Sequence, residues 1–595
     1  MCKIKATMNM KNRYFNTLGA ALLCGLFLAA GCIEQTFPAD QATPDQIQGS
    51  TSLNYLTNSL PAYLVTWDTY GSSNNTQDWG YPCQMYMREV MGEDFPSYDN
   101  GYNYWSYLEN ATSLRYMYYY PYFYYYSFIK NANNLIKVAN QMEPEENQGV
   151  MNRLGIGYGY RAMLYLEMAR MYEYRETGVS SLDSEAETKG CLGLTIPIVT
   201  EATTVAEYSN NPCVPFYTMY RFILTDLNKA ENCFDGYTRT SKALMDQSVI
   251  YGLKVRVWLD IATRFDRYPS ALAEQLSAEG SDDGYDDLGI KTAADCYAKV
   301  IEYAEKLIAN ASYSPLTREQ WTNPETGFNT PEASWILGTS VTSKEQINYN
   351  YWNTFLGTMA TEADWGMTMK SYSGYRLIGK SLYDKIGSGD WRKNSWVSPD
   401  DAGVWPAPEK YRTSVSQTKW GEIPAYANLK FRPGGGSLTT LETGLIACQP
   451  MMRIEEIYFD YFEAIAHTEG VGAAAVALQD FINTYRYTDG SYTCTASDMD
   501  SFIEELMVQR RIEFWGEGIN FFDYKRLGMA VTRRYDGSNY EADYQLNSFE
   551  GYVAPWMNYM IPETEQDRNV AVVIAPNPSG VITADGTINY KTTAE

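Results

Sequence analysis

Apolar residues recur at alternating three- and four-residue spacings in five long stretches of the chain. The stretches are residues 154–172, 217–230, 250–261, 297–307 and 454–465. One face of an α-helix repeats at this spacing, so each stretch predicts an amphipathic helix. Small residues such as Gly157 and Ala162 interrupt the larger side chains, as expected where neighbouring helices approach closely. The pattern therefore predicts a mainly α protein built from packed helices.

Successive helices of this kind resemble tetratricopeptide repeats, whose period of about 34 residues is blurred here by insertions. Residues 311–450 differ, because they are rich in Gly, Pro, Ser, Thr and Trp and carry only short apolar runs. We therefore predict tetratricopeptide-like helical repeats over residues 51–310, packed against a less regular C-terminal part over residues 311–595. Its loop-rich insertion spans residues 311–450, and loops on a rigid frame are where binding groups usually lie.

The N-terminus has the layout of an export signal. Residues 1–31 contain four basic and no acidic residues, with an apolar run from Leu18 to Ala30 that is too short to span a bilayer. The run ends Leu28-Ala29-Ala30-Gly31-Cys32, which resembles the lipobox of bacterial lipoproteins. This resemblance implies cleavage before Cys32, acylation of that cysteine and a tether over residues 32–50. The alternative is an ordinary secretory signal followed by a chance cysteine.

Charge and composition exclude several classes of function. The 595-residue chain has a formal net charge of −25, which disfavours nucleic acid and anionic phospholipid as partners. Its single histidine, His467, argues against His-based zinc sites and Ser-His-Asp triads. The chain has 52 tyrosines, and residues 116–126 carry nine aromatic rings, eight of them from tyrosine. Rings that point all round a helix predict packing, and a glycan platform is the alternative.

The segment from Gln509 to Gly528, which reads QRRIEFWGEG and then FDYKRLG around a three-residue gap, resembles the C-terminal signature of SusD/RagB proteins. Further motifs of that family occur in the expected order along the chain. They are Arg161-Ala162, Ile196–Thr200, Tyr251–Arg256, Asp390–Lys393, Lys430–Arg432, Met452–Glu456 with Glu463-Ala464, and Ile561-Pro562. Each motif alone is weak, but together they cover nearly the whole chain after Cys32.

The resemblance implies a fold, a location and a function. Proteins of this family have tetratricopeptide-like helices packed against a less regular C-terminal half. They are surface-exposed lipoproteins of the outer membrane that bind glycans, or occasionally peptides, and cover a TonB-dependent (SusC-like) transporter. The family holds its binding residues in variable loops, so the resemblance transfers no binding position to this sequence.

The charged residues of the C-terminal signature allow two interpretations. Arg510, Glu513 and Glu517 recur at three- and four-residue spacing, so they share one face of a helix. Buried, charge-assisted pairs that fix the helix explain them, together with Arg511 and Asp523. Acid/base catalysis is the alternative, and it needs two carboxylates across an open cleft. We favour the structural interpretation.

Aromatic residues in loops beside Gly, Asn and Asp are the best candidates for glycan binding. A flat ring stacks on a sugar face, while neighbouring amides and carboxylates hydrogen-bond the hydroxyl groups. For any single tryptophan, packing in the core is the competing interpretation, because Trp is highly buried on average. The candidates are Trp79, Tyr81, Tyr102, Trp105, Trp321, Tyr351, Trp352 and Trp365.

We therefore predict a non-enzymatic lipoprotein that captures an oligosaccharide or polysaccharide and delivers it to a SusC-like transporter, without a cofactor or metal. The acidic loop at residues 281–287 lacks the spacing of an EF-hand, so a solvated loop is favoured over a calcium site. One rival is a helical (α/α-barrel) glycoside hydrolase or lyase. The other is a peptide-binding or scaffold lipoprotein.

Overall fold

The computed structural model describes residues 50–66, 80–97, 115–347 and 354–581. The predicted signal peptide and Cys32 lie outside the described residues. Contacts divide the chain at Ser52, and the described residues from Leu53 onward pack as one compact unit. Before that division only residues 50–52 are described, and they begin the first helix. Within the described residues, no helix is both long and apolar enough to cross a bilayer.

Helices dominate the N-terminal part. Their bounds are α1 Ser50–Tyr63, α2 Tyr81–Glu89, α3 Arg115–Asn140, α4 Gln148–Tyr172, α5 Ser180–Lys189, α6 Val205–Tyr208, α7 Phe216–Glu231, α8 Gln247–Arg267, α9 Pro269–Ala278 and α10 Ala293–Ile308. The long helices pack in order, α3 on α4, α4 on α7, α7 on α8 and α8 on α10. In helical-repeat proteins each helix packs against its neighbours along the chain in this way. The predicted mainly α fold with tetratricopeptide-like repeats is therefore confirmed.

Local sequence explains where these helices begin and how closely they pack. The Asn147 side chain accepts hydrogen bonds from the first turn of α4, and Thr292 forms a capping box at the start of α10. A Cβ atom placed on Gly157 would lie 2.8 Å from a side-chain carbon of Ile136 in α3. Glycine at this position therefore lets α3 and α4 approach to backbone distance.

The tyrosine-rich segment lies in α3, and many of its rings are buried. Tyr122, Tyr124 and Tyr125 are buried, while Phe123 and Tyr126 are half-buried. The hydroxyl of Tyr126 donates a hydrogen bond to the carbonyl of Pro197 at 2.6 Å. These contacts agree with the packing interpretation of the run for the rings that the structure describes. Helix α3 also continues through Pro121.

The C-terminal part is less regular up to residue 450 and helical again after it. Its helices are α11 Arg318–Trp321, α12 Phe355–Met359, α13 Lys380–Lys385, α14 Gln417–Trp420, α15 Leu441–Gly444, α16 Ile454–Thr468, α17 Val471–Tyr485, α18 Met499–Glu513, α19 Asn520–Leu527 and α20 Glu563–Gln566. Two short strands, β1 Trp335–Gly338 and β2 Pro450–Arg453, pair antiparallel, with Trp335 opposite Arg453. Strand β1 lies within the loop-rich insertion, and β2 begins where the insertion ends. Helix α16 packs on α10, which continues the helical stack into this part.

Distant parts of the chain meet in one buried junction. The Nε atom of Arg88 in α2 donates to the carbonyl of Gly518 at 2.7 Å. The guanidinium of Arg511 makes two hydrogen bonds of 2.6 Å to the carboxylate of Asp94. The indole N–H of Trp515 reaches the Asp94 carbonyl at 2.6 Å. The second helix is therefore completed by residues more than 400 positions later in the chain.

Candidate functional site

The C-terminal signature forms a buried network of charges in which Glu513 is surrounded by three arginines. Its carboxylate accepts hydrogen bonds from Arg392 at 2.9 Å, from Arg486 twice at 2.8 Å and from Arg453 at 3.1 Å. Burial opposes ionisation of this carboxyl, but Arg486 and Arg453 hold its pKa below the usual range. A carboxylate tied in this way is held as an anion and does not exchange protons near neutral pH.

The other charged residues of the signature are buried and paired as well. Arg510 contacts Asp460 at 2.5 Å and Asp523 at 2.9 Å. Glu517 accepts from Lys430 at 2.6 Å and from Arg453 at 2.8 Å. These pairs join α16, α18 and α19 to the loop-rich part. The favoured interpretation, that these charges stabilise the fold, agrees with their position.

A buried carboxyl with a raised pKa lies beside this network. Burial raises the pKa of Glu89 to about 8, although the N–H of Gly518 donates to the carboxyl at 2.7 Å and opposes the shift. A carboxyl that stays protonated near neutral pH is the kind of group a hydrolase uses as its general acid. Glu89, however, is 6% exposed and its side chain is enclosed between α2 and the signature. We therefore assign it a structural role.

Replacing Glu89 by glutamine should flatten the pH dependence of stability. The pKa of Glu89 is about 4.5 in the unfolded chain and about 8 in the folded protein. The contribution of Glu89 to the free energy of unfolding is therefore fully present below about pH 4.5, and it is lost as the pH rises towards 8. Relative to Glu89→Gln, the wild type should lose about 2 kcal/mol of unfolding free energy between about pH 5.5 and about pH 7.5. Urea denaturation at both pH values measures this, with Glu145→Gln, an exposed carboxyl, as the control. Parallel curves for Glu89→Gln and the wild type would contradict it.

Three of the eight aromatic candidates are described, and all three are buried. Tyr81, Trp321 and Trp365 are 2%, 1% and 5% exposed. The Trp321 indole donates to the hydroxyl of Ser395 at 2.8 Å, and the Trp365 indole donates to the carbonyl of Ser437 at 3.0 Å. The Tyr81 hydroxyl bonds a buried carboxylate of Glu167 at 2.5 Å. These three rings therefore pack in the core of the protein, which is the competing interpretation given above. A large aromatic ring buries more apolar area in the core than on an exposed binding surface.

The other five candidates lie outside the described residues. They are Trp79, Tyr102, Trp105, Tyr351 and Trp352. Two of the segments that contain these candidates are residues 67–79 and 348–353, and the described residues that flank both segments lie close together. The N–H of Tyr81 donates to the carbonyl of Leu64 at 2.7 Å, so the described residues that flank segment 67–79 on its two sides are in contact. Val65 and Pro82, from these two sides, and Ile347 and Thr354, which flank segment 348–353, line the same pocket.

This apolar pocket has a mainly aliphatic surface edged by polar groups. Its volume is about 70 Å³, smaller than the roughly 300–1,000 Å³ of a complete ligand pocket. Two amides, Gln346 and Gln449, lie at its wall, and none of the described lining residues is ionisable at neutral pH. Such a surface offers van der Waals contact and amide hydrogen bonds without charge. The lining residues are Val65, Pro82, Val341, Gln346, Ile347, Thr354, Phe355, Leu356, Leu445, Ala447 and Gln449.

One exposed ring was not predicted from the sequence. Trp405 is 45% exposed, whereas the other described tryptophans are buried, and its neighbour Val404 is 50% exposed. The signal that marks it is local, because Pro406 and Pro408 follow it and Asp400 and Asp401 precede it. The two prolines restrict the backbone of the turn that carries the ring. Trp405 is therefore a ring available for contact with solvent or a ligand.

The acidic loop predicted to be solvated is anchored by an arginine. Arg221 is buried, and it contacts Asp283 at 2.7 Å and Asp287 at 3.4 Å. Asp286 accepts a hydrogen bond from Asn228 at 2.9 Å. Two of these carboxylates therefore have a cationic partner within the protein. Among the described residues, no group of three His, Cys, Asp or Glu side chains is arranged to hold a metal ion.

Comparison with solved structures defines the class to which the fold belongs. A SusD-like carbohydrate binding protein from Bacteroides vulgatus is 20% identical and superposes with a TM-score of 0.62, covering 88% of this chain and 97% of its own. A SusD superfamily protein from Bacteroides thetaiotaomicron is 16% identical, with a TM-score of 0.61 and coverage of 88% and 99%. A laminarin binding SusD-like protein is 15% identical, with a TM-score of 0.57 and coverage of 89% and 99%. The protein has the SusD fold.

The sequence itself gives a second, independent match. The model of the SusD family matches residues 400–590, the part that carries the C-terminal signature. Together with the shared fold, this match confirms the resemblance to the SusD/RagB family that the motifs predicted. Among curated proteins, no sequence matches the chain significantly.

Proposed function

We propose that this protein is a non-catalytic surface lipoprotein that captures an oligosaccharide and delivers it to a SusC-like, TonB-dependent transporter. The observation that supports the glycan-binding step is that described residues flanking segment 67–79 and segment 348–353 line the same uncharged apolar pocket. Those segments contain Trp79, Tyr351 and Trp352. Proteins bind neutral sugars through aromatic rings that lie next to apolar surfaces with amide groups at their edge.

The binding mode follows from this chemistry. Rings stack on the C–H faces of sugar units, and the amides of Gln346 and Gln449 bond hydroxyl groups at the edge. An open site of this kind remains wet and buries little area, so affinity per sugar unit is modest. Many copies on one cell surface raise the effective affinity for a polymer. The glycan-binding names of two proteins with the same fold support this proposal.

The location and the partner are the parts of the proposal that rest on the sequence. Cleavage before Cys32 and acylation of that residue would anchor the chain in the outer membrane, facing the exterior. Acyl chains on one cysteine give stable attachment, since each buried methylene adds about 0.8 kcal/mol. Removal of residues 1–31 takes away four basic residues and changes the formal net charge from −25 to −29. Such a surface suits a neutral or cationic glycan better than a polyanionic one.

Loss of glycan binding on removal of the loop rings tests the proposal. Soluble residues 33–595 should be retarded in native gels that contain one class of polysaccharide, without release of reducing sugar. Trp79→Ala and Trp352→Ala should each weaken binding by about tenfold or more, since loss of a central aromatic contact costs about 2 kcal/mol. Tyr102→Ala and Trp105→Ala test the third candidate segment in the same assay. Isothermal titration with oligosaccharides from the retarding polymer measures the affinities.

Controls separate this proposal from its rivals. Trp405→Ala removes an exposed ring far along the chain from both segments and should leave the affinity unchanged within about twofold. Loss of binding in Trp405→Ala alone would move the site to that turn. Release of reducing sugar would establish the hydrolase or lyase instead. Binding of peptides with no retardation by any polysaccharide would establish the peptide-binding rival.

A further inference from the structure

A second cavity, of about 860 Å³, lies apart from the apolar pocket and shares none of its lining residues. It is a groove between α18 on one side and the C-terminal ends of α8 and α16 on the other. The segment from Leu527 to Thr532 and the helix α13 close its remaining edges. We call it the acidic groove. Its volume falls within the roughly 300–1,000 Å³ of ligand-binding cavities.

The floor of the acidic groove is apolar and rich in methionine. Met499, Ile503 and Met507 are spaced by four residues, so they form one stripe along α18. Leu527 and Met529 extend the apolar surface across the groove. Methionine side chains are flexible and polarizable, and they adapt to apolar groups of different shapes. This floor differs from a sugar platform, which needs flat rings.

The walls of the acidic groove carry more acidic than basic groups. The acidic residues are Glu93, Asp266, Glu463, Asp500, Glu504 and Glu550, and the basic ones are Arg267, Lys385 and Arg511. Two of the basic groups are engaged within the fold. Arg511 pairs with Glu93 and Asp94, and Arg267 donates to the backbone carbonyls of Leu527 and Gly551.

Three exposed carboxylates in the described residues carry no paired cation. Within the described chain, Asp500, Glu504 and Glu550 form no ion pair, and all three are exposed, although Glu550 accepts a hydrogen bond from the N–H of Ala530 at 3.0 Å. Asp500 and Glu504 are four residues apart, so they form a second row along α18, about 100° round the helix from the methionine stripe, and both rows line the groove. By contrast, Glu463 is held by two short contacts to Arg526, and Asp266 lies 3.2 Å from His467. A ligand that carries positive charge next to apolar groups matches this arrangement.

We propose that the acidic groove binds a basic amphipathic segment of a partner protein. Its Lys or Arg side chains would pair with Asp500, Glu504 and Glu550, while its apolar face would lie on the methionine floor. An amphipathic helix in an apolar groove is a recurring mode of recognition, and flexible methionines are frequent in such grooves. A second copy of this chain is disfavoured as the occupant, because two chains of net charge −25 repel each other.

Peptide binding with defined probes tests this assignment. The probe is a fluorescent synthetic peptide of about 15 residues, with Leu and Lys placed at helical spacing. Two comparison peptides replace every Lys by Glu or every Leu by Ser. Fluorescence anisotropy with soluble residues 33–595 should show binding of the Leu/Lys peptide, weaker binding of the Ser/Lys peptide and none of the Leu/Glu peptide.

Matched variants locate the binding in the groove. The double variant Asp500→Asn, Glu504→Gln should weaken binding of the Leu/Lys peptide about five- to tenfold, because two ion pairs are lost. The control, Glu145→Gln with Glu146→Gln, removes the same charge from two other exposed carboxylates and should change the affinity less than twofold. All four positions are exposed, so folding is preserved, and circular dichroism verifies it.

The results of these binding experiments distinguish binding in the groove from a general attraction of basic peptides to an acidic protein. Equal losses in the groove and control variants, or equal binding of the Ser/Lys and Leu/Lys peptides, would overturn it. No binding of the Leu/Lys peptide would overturn it too. The groove variants should retain full affinity for the glycan, since the apolar pocket shares none of their residues. The inference therefore stands or falls separately from the glycan-binding proposal.

Discussion

Replacing Glu513 by alanine should destabilise the protein by more than about 4 kcal/mol, enough to unfold it or prevent its accumulation. The variant leaves the guanidinium groups of Arg392, Arg453 and Arg486 buried around an empty space. All three side chains are fully buried, and although each keeps another carboxylate partner, the network is left with one uncompensated positive charge. Uncompensated charge in the interior is among the largest penalties that a single substitution can produce.

Denaturation by urea measures this cost, with an exposed pair as the control. Glu185 contacts Lys189 at 2.7 Å on the surface of α5, and Glu185→Ala should change stability by less than about 1 kcal/mol. Glu513→Gln keeps the shape but removes the charge and turns one of the two acceptor oxygens into a donor amide. An effect of Glu513→Gln close to that of Glu513→Ala would assign the penalty to the lost charge and acceptor rather than to the empty space. A Glu513→Ala protein within about 1 kcal/mol of the wild type would show that the arginines do not depend on this carboxylate.

Gly518→Ala should cost about 3 kcal/mol or more, for two separate reasons. Gly518 has φ of +72°, a backbone conformation that disfavours residues with a Cβ atom. An added Cβ would also lie 2.5 Å from the Cα atom of Met85 and 2.7 Å from its carbonyl oxygen. These are backbone atoms of α2, so relief requires the helix to move. Such movement breaks the hydrogen bonds of Gly518 with Arg88 and Glu89.

A second glycine separates the two reasons. Gly280 has φ of +76°, but nothing lies within 4 Å of an added Cβ. Gly280→Ala therefore reports the backbone cost alone, about 1 kcal/mol. The difference between the two variants, measured as unfolding free energies in urea, should be at least about 2 kcal/mol. Equal losses at the two positions would show that α2 and the signature are not packed at backbone distance.

The helical part of the fold is predictable from the sequence because its signal is local. The stripe from Leu154 to Tyr172 lies within α4, and the stripe from Ile454 to Ile465 within α16. Apolar spacing indicates a helix without knowledge of its partner. The prediction of one buried face is wrong for α4, because every residue from Leu154 to Tyr172 is buried between neighbouring elements. The partners of Glu513 could not be predicted in this way. They come from positions 392, 453 and 486, which only the tertiary fold brings together.

The candidate sites were harder to predict for a physical reason. A tryptophan beside Gly or Asn has the same sequence context whether it binds a ligand or fills the core, as Trp321 and Trp365 show. Trp405, which is exposed, is distinguished only by its prolines. The acidic groove leaves no continuous signal, because its walls come from α8, α13, α16 and α18. Charge and apolar spacing along α18 alone do not reveal that an open groove lies beside it.

The junction between α2 and the C-terminal signature has a consequence for how this chain is made. The carbonyl that accepts from the Nε atom of Arg88 belongs to Gly518, and the arginine that pairs with Asp94 is Arg511, so a fragment that ends before residue 511 lacks both contacts. Closing so long a loop delays native pairing until the end of synthesis. A nascent chain therefore stays incompletely folded while its last part is still being made. Under the export that we propose, in which the chain crosses a membrane in an extended state, late closure is an advantage.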